Sequence, residues 1–286
     1  MTKPAFTTGL LGLLLAVLAV SAAAKSPWTR EPGHGYAQVA VYTILPYDRL
    51  VVNGTEEYHV GRELQDTTVE AYLEHGLAEG WTATAVVPWR WLGAGDVVDD
   101  PALPLTIEEG SKAGLGNVRL GVRRRLARGA WSVAAGLDVE MPTADFDAAT
   151  GLRTGIDAWS VVPGLAVGRG SARSYGSVHV GVALRSDGYS EQWRAGLEYG
   201  RRAFDRWWFV AGVEVVQSLR NGDRVPLPTN LETGLYLDEQ GVVAPVLKTL
   251  YEIDPRWGVM ATVQGGFAGD FVARSPFLGA AVFARY

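Results

Sequence analysis

The chain has 286 residues, no cysteine and a formal net charge of −5. The lack of Cys excludes a disulfide scaffold and a lipoprotein, and mild acidity without basic clusters argues against a nucleic-acid partner. Hydrophobic residues make up 48%, with 35 Gly, 10 Trp and 11 Tyr. No run is long enough for a transmembrane helix, and this mixture suits a closed antiparallel sheet.

Lys3, the apolar run 10–20 and Ser21-Ala22-Ala23-Ala24 predict a secretory signal peptide over 1–24. Cleavage would leave 25–286 as one domain. Period-two alternation then predicts strands at 35–45, 65–75 and 81–89, separated by a polar loop (46–64) and a short turn (76–80). The longest loop is 90–113. The stretch 114–142 reads as a hairpin supplying strands four and five. Val118, Leu120, Val122 and Leu126 share one face, and Asn117, Arg119, Gly121, Arg123 and Arg125 share the other. Trp131, Val133, Leu137, Val139 and Met141 then oppose Ser132, Gly136, Asp138 and Glu140. A two-residue turn at Arg128-Gly129 would set Arg119 opposite Asp138.

After the loop 143–157, seven more strands are predicted: 159–168, 175–185, 191–200, 207–219, 240–253, 257–268 and 276–286. The alternation alone fits a soluble sandwich or a membrane barrel, which differ in which face is buried. Three features favour the barrel. Long polar connections alternate with short ones, as in outer-membrane barrels with long outer loops and short periplasmic turns. Aromatics sit near strand ends on the apolar face (Trp81, Trp89, Trp131, Trp159, Trp193, Tyr199, Trp207, Trp257 and Tyr286), the placement of interfacial girdles. The last strand alternates Leu278, Ala280, Val282 and ends on Tyr286, resembling the C-terminal signal that the barrel-assembly machinery reads. Ala284 departs from that pattern, where an aromatic is common. The expected fold is therefore all-β: a transmembrane, antiparallel, up-and-down β-barrel of about 12 strands in a Gram-negative outer membrane.

Two segments, GLGNVRLGVRRRL (114–126) and LDVEMPTADFD (137–147), resemble the family of outer-membrane transporters associated with the meta-cleavage pathway of phenol degradation. Asn117 replaces the family's usual Asp, and Ala144 stands where Gly is common. The resemblance implies a channel or transporter, with apolar or aromatic compounds as the solute class. It implies no catalytic residues.

The phasing places Glu70, Glu74, Arg119, Arg123, Asp138, Glu140, Arg194, Glu198, Glu214, Lys248, Glu252 and Arg285 in the interior. Such groups either pair and fill the lumen or line a wet pore. The mixed signs argue against strong charge selectivity. An enzyme is the weaker reading. Ser177 and His179 share a face, but that face points inward and the order reverses the His-x-Ser of barrel lipases. His34, His59 and His75 lack metal-ligand spacing, and Asp96, Asp99, Asp100, Glu108 and Glu109 match no calcium loop, so no cofactor or metal is expected. The expected partners are outer-membrane lipids and lipopolysaccharide, the barrel-assembly machinery and a small solute. The expected function is passive passage of that solute. The alternatives are a plugged structural or adhesive barrel, and then a lipid hydrolase.

Overall fold

The structure is a computed structural model that describes residues 25–96, 107–224, 236–266 and 268–286. The predicted signal peptide, Asp99 and Asp100 lie outside the described residues. The chain forms β1 (Gly35–Val52), β2 (Glu56–Ala78), β3 (Trp81–Ala94), β4 (Gly110–Leu115), β5 (Arg119–Arg128) and β6 (Ser132–Glu140). It continues with β7 (Ser160–Gly170), β8 (Ser174–Arg185), β9 (Gln192–Ala203), β10 (Trp207–Ser218) and β11 (Gly241–Glu252). The remaining strands are β12 (Trp257–Gln264), β13 (Ala268–Asp270), β14 (Val272–Ala273) and β15 (Phe277–Arg285).

These segments make twelve antiparallel staves. β4 and β5 both pair with β3 and form one stave broken at Gly116–Val118. β13 continues β12 along β11, and β14 continues β15 along β1. Each stave pairs with its sequence neighbour, and β1–β15 closes the cylinder. Closure gives every stave two partners, which the bilayer demands because no water is available there to satisfy an open edge.

The burial pattern is inverted relative to a soluble protein. Val178 is 58% exposed and Val39 57%, whereas Arg123 is 1% exposed and Asp138 2%. Valine and leucine rows face outward, and their exposure is favourable only against acyl chains. Trp81, Trp89, Trp131, Trp159, Tyr199, Trp207, Trp257 and Tyr286 are exposed near stave ends, as girdle aromatics require.

Two expectations need correction. Arg119 pairs with Glu140 rather than Asp138, which lies opposite Gly121. The turn leaves three residues between Arg128 and Ser132, and an irregularity between Arg125 and Ala127 absorbs the remaining offset, so the register slips by two. The polar stretch 46–64 is not a loop. β1 and β2 continue through it, with register shifts at Ile44/Tyr47 and Tyr47/Arg49. Their upper arms bury Ile44, Tyr47, Leu50, Val60 and Leu64 with Leu92, Leu152 and Phe277, forming a small apolar core at the long-loop end. Apart from the buried Arg62, the charges of 46–64 occupy the other face of those arms, and this hid the alternation.

Candidate functional site in the lumen

Inward-facing charges meet across the barrel because antiparallel register sets them at matching heights. Glu74 of β2 accepts hydrogen bonds from Arg123 Nη2 (2.9 Å), Arg30 Nε (2.5 Å) and the Tyr72 hydroxyl (2.6 Å). Glu140 of β6 receives both arms of Arg194 at 2.8 and 3.4 Å, and Arg119 Nη1 lies 3.5 Å away. Glu198 accepts from Lys248 (2.6 Å) and the Tyr175 hydroxyl (2.6 Å). Glu252 holds Arg202 and Arg285, each at 2.9 Å. Asp138 sits buried beside Gly121, where a Cβ would meet its Oδ1. Burying charge without partners costs several kcal/mol per ion, so paired ladders are what make a polar lumen compatible with the fold.

Glu70 differs from the rest. Among the described residues it has no hydrogen-bonded or ion-paired partner. Glu70 and Arg119 line both of two cavities, one of about 630 Å³ and one of about 120 Å³. They therefore mark the neck between a large chamber and a small one. Arg90, Arg185, Arg194 and Tyr236 border the small chamber.

Aromatic rings line part of the large chamber, between its paired charges. Tyr36 stacks on Phe283 (5.6 Å between centroids) and Tyr42 on Phe277 (5.0 Å). Tyr175 contacts Trp208 at 5.9 Å. Val210, Val246, Leu250 and Met260 complete an apolar wall.

The segment before β1 enters this chamber from the short-turn end. Lys25 Nζ bonds Glu214 at 2.5 Å, and His179 Nε2 lies 3.4 Å from the same carboxylate. The Ser132 hydroxyl donates to Pro27 O (2.7 Å), the Arg30 N–H donates to Thr82 Oγ1 (2.8 Å), and Trp28 packs edge-on to Tyr175 (5.5 Å). Pro27 is fully buried. The segment forms a plug docked by side chains of five staves.

All twelve residues placed inside by sequence phasing lie on inward faces, and eleven are engaged by neighbours. Ser177 and His179 also face the large chamber, where His179 is tied to Glu214. Sequence reasoning missed Arg90, which bonds Asp66 at 2.7 Å, and Arg185, which bonds Asp238 at 2.9 Å. Arg90 lies between the outward Trp89 and Trp91, so the period-two signal was present. The plug residues carried no such signal. Among the described residues no group of metal-ligating side chains forms.

Residues 57–225 match the family model described as "Putative MetA-pathway of phenol degradation". Among solved structures, the COG4313 outer membrane channel from Pseudomonas putida F1 superposes with a TM-score of 0.69 at 13% identity, covering 90% of this chain and 97% of that one. The beta domain of the Bordetella autotransporter BrkA gives a TM-score of 0.51 at 13% identity, covering 90% and 100%. The translocator domain of the autotransporter NalP from Neisseria meningitidis gives 0.50 at 13% identity, covering 90% of each chain. No curated protein matches in sequence. These likenesses establish the fold of an outer-membrane barrel.

Proposed function

The chain belongs to the MetA-pathway of phenol degradation family, and from that premise we propose that it is an outer-membrane channel for small apolar or aromatic solutes. The observation that carries this reading is the aromatic wall of the 630 Å³ chamber, with its charges already paired. A solute there meets ring faces and aliphatic side chains, while the ion pairs keep their mutual contacts. A strongly charged solute would have to break buried pairs to gain contacts, at several kcal/mol each. Glu70 at the neck is the exception: among the described residues its carboxylate has no hydrogen-bonded partner, so it is open to a donor group on a passing solute.

Residues 1–24 act as the export signal, and 25–33 form the plug once it is removed. The outward row of β15 toward Tyr286 is the barrel-assembly signal, and the acid-rich loops at the far end meet lipopolysaccharide. The passage is passive and needs no catalytic step or cofactor.

The test is reconstitution into planar bilayers and liposomes. Ion conductance that rises when 25–32 are deleted, with uptake of a small aromatic such as toluene, supports the channel. Absence of both in the deleted protein, with the barrel still heat-modifiable on gels, would favour a plugged structural barrel instead.

A further inference from the structure

The outward rows of three staves carry an arginine near their short-turn ends. On β7 the row runs Trp159, Val161, Leu165, Val167 and then Arg169. On β9 it runs Trp193, Leu197, Tyr199 and then Arg201; on β5, Leu120 and Val122 lead to Arg124, with the exposed Leu126 beyond it at the irregular step before Ala127. Trp159 and Arg169 are ten residues apart (169 − 159). That is about 33 Å along a strand and about 25 Å along the membrane normal at a tilt of about 40°. It matches the height of the apolar band, so Arg169 sits where acyl chains give way to head groups. The opposite ends of the first two rows carry acids, Asp157 and Glu191, two residues beyond the tryptophans.

The arginine ends all lie at the short-turn side of the barrel, which faces the periplasm. The three neighbouring turns there add Arg128, Arg173 and Arg206, all exposed, and Asp205 is the sole acid in those turns. Arg128, Arg169, Arg173 and Arg201 have no carboxylate partner among the described residues. Arg124 lies over the Trp81 ring at 5.0 Å. The rest of the rim lacks this excess: Glu79 pairs with Arg125, Glu252 with Arg285, and Asp254 accepts from the Arg256 N–H.

We propose that this crescent binds the phosphates of anionic phospholipids in the periplasmic leaflet. Guanidinium forks suit phosphate oxygens, and Trp131 and Tyr199 supply the ring contact beside the head group. The side-chain direction chooses lipid over a soluble acidic partner. Arg124, Arg169 and Arg201 continue acyl-facing rows and point along the membrane plane, not down into the periplasm. Unpaired arginine at this height is stabilised where the leaflet provides the counter-charge.

Native mass spectrometry of the full chain, titrated with phosphatidylglycerol or phosphatidylcholine, tests this. The unaltered protein should retain phosphatidylglycerol preferentially. R128Q/R169Q/R173Q/R201Q should weaken that retention by at least about tenfold and flatten its salt dependence. If the quadruple variant loses the heat-modifiable fold, R169Q/R201Q gives the same reading with the turns intact. Equal retention of the two lipids, or unchanged retention in a folded variant, overturns the proposal. Binding of a polyglutamate peptide that phosphatidylglycerol does not displace also overturns it, in favour of a protein partner.

Discussion

Replacing the two cations that dock the plug, K25Q/R30Q, isolates its grip from the lumen wall. Glu74 keeps Arg123 and Tyr72 when Arg30 is lost, and Glu214 keeps His179 when Lys25 is lost. The wall therefore keeps a neighbour for each carboxylate, and the plug loses two charge-assisted hydrogen bonds of 2.5 Å. Such bonds contribute about 1.5–3 kcal/mol each. The lower figure applies to Arg30, whose side chain is 36% exposed. A total loss of at least about 3 kcal/mol raises the undocked fraction by at least about a hundredfold. The remaining contacts, at Pro27, Thr82 and Trp28, are neutral, so the segment stays tethered but leaves its seat more often. Single-channel recording should show frequent excursions to a higher conductance level, and deletion of 25–32 should hold that level continuously. If the double variant and the deletion both match the parent trace, the segment does not obstruct the passage and the reasoning fails.

Glu70→Gln should lower the cation-to-anion permeability ratio measured by reversal potential in a salt gradient, while Glu198→Gln, whose partners pair it away from solutes, should change it less. Glu140→Ala strands Arg119 and Arg194 inside the barrel and should destabilise it by about 3–5 kcal/mol, read as a lower temperature for loss of heat-modifiable mobility. Gly212→Ala places a Cβ 2.6 Å from the Leu197 carbonyl oxygen and should cost roughly 1–3 kcal/mol in the same assay. At the β11–β12 turn, the Trp257 and Arg256 N–H groups donate to Asp254 and hold its carboxyl below the usual range. A depressed pKa means that the support is present above the ordinary Asp value of about 3.9 and is lost as pH falls through the lower folded value. The amide shifts of Arg256 and Trp257 should move in that acidic window and stay flat in Asp254→Asn.

Much of the architecture was legible because the lumen and the bilayer impose one rule at every position. Arg123, Asp138 and Glu140 declare an interior by parity alone, once Val122, Leu137 and Val139 are assigned to lipid. The same rule failed at 46–64, where β1 and β2 rise above the membrane and an apolar core replaces the polar lumen, so parity no longer meant the same environment. It failed again at Arg90, where a loop was read from composition although Trp89 and Trp91 still marked the outer face. The Arg119–Asp138 pairing was a matter of register. An added turn residue and an irregular step near Leu126 shift every pair without altering the pattern on either strand.

Local alternation, the spacing of turns and the aromatic positions were enough to specify a twelve-stave membrane barrel, because each depends on only a few neighbouring residues. Contacts between distant parts of the chain were not. Lys25 meets Glu214 from 189 residues away. Arginines scattered through three turns read as no basic cluster until the cylinder sets those turns side by side. Closure of the barrel decides which charges pair, where the neck falls and what fills the mouth, since those depend on heights and angles around a ring that no single strand contains.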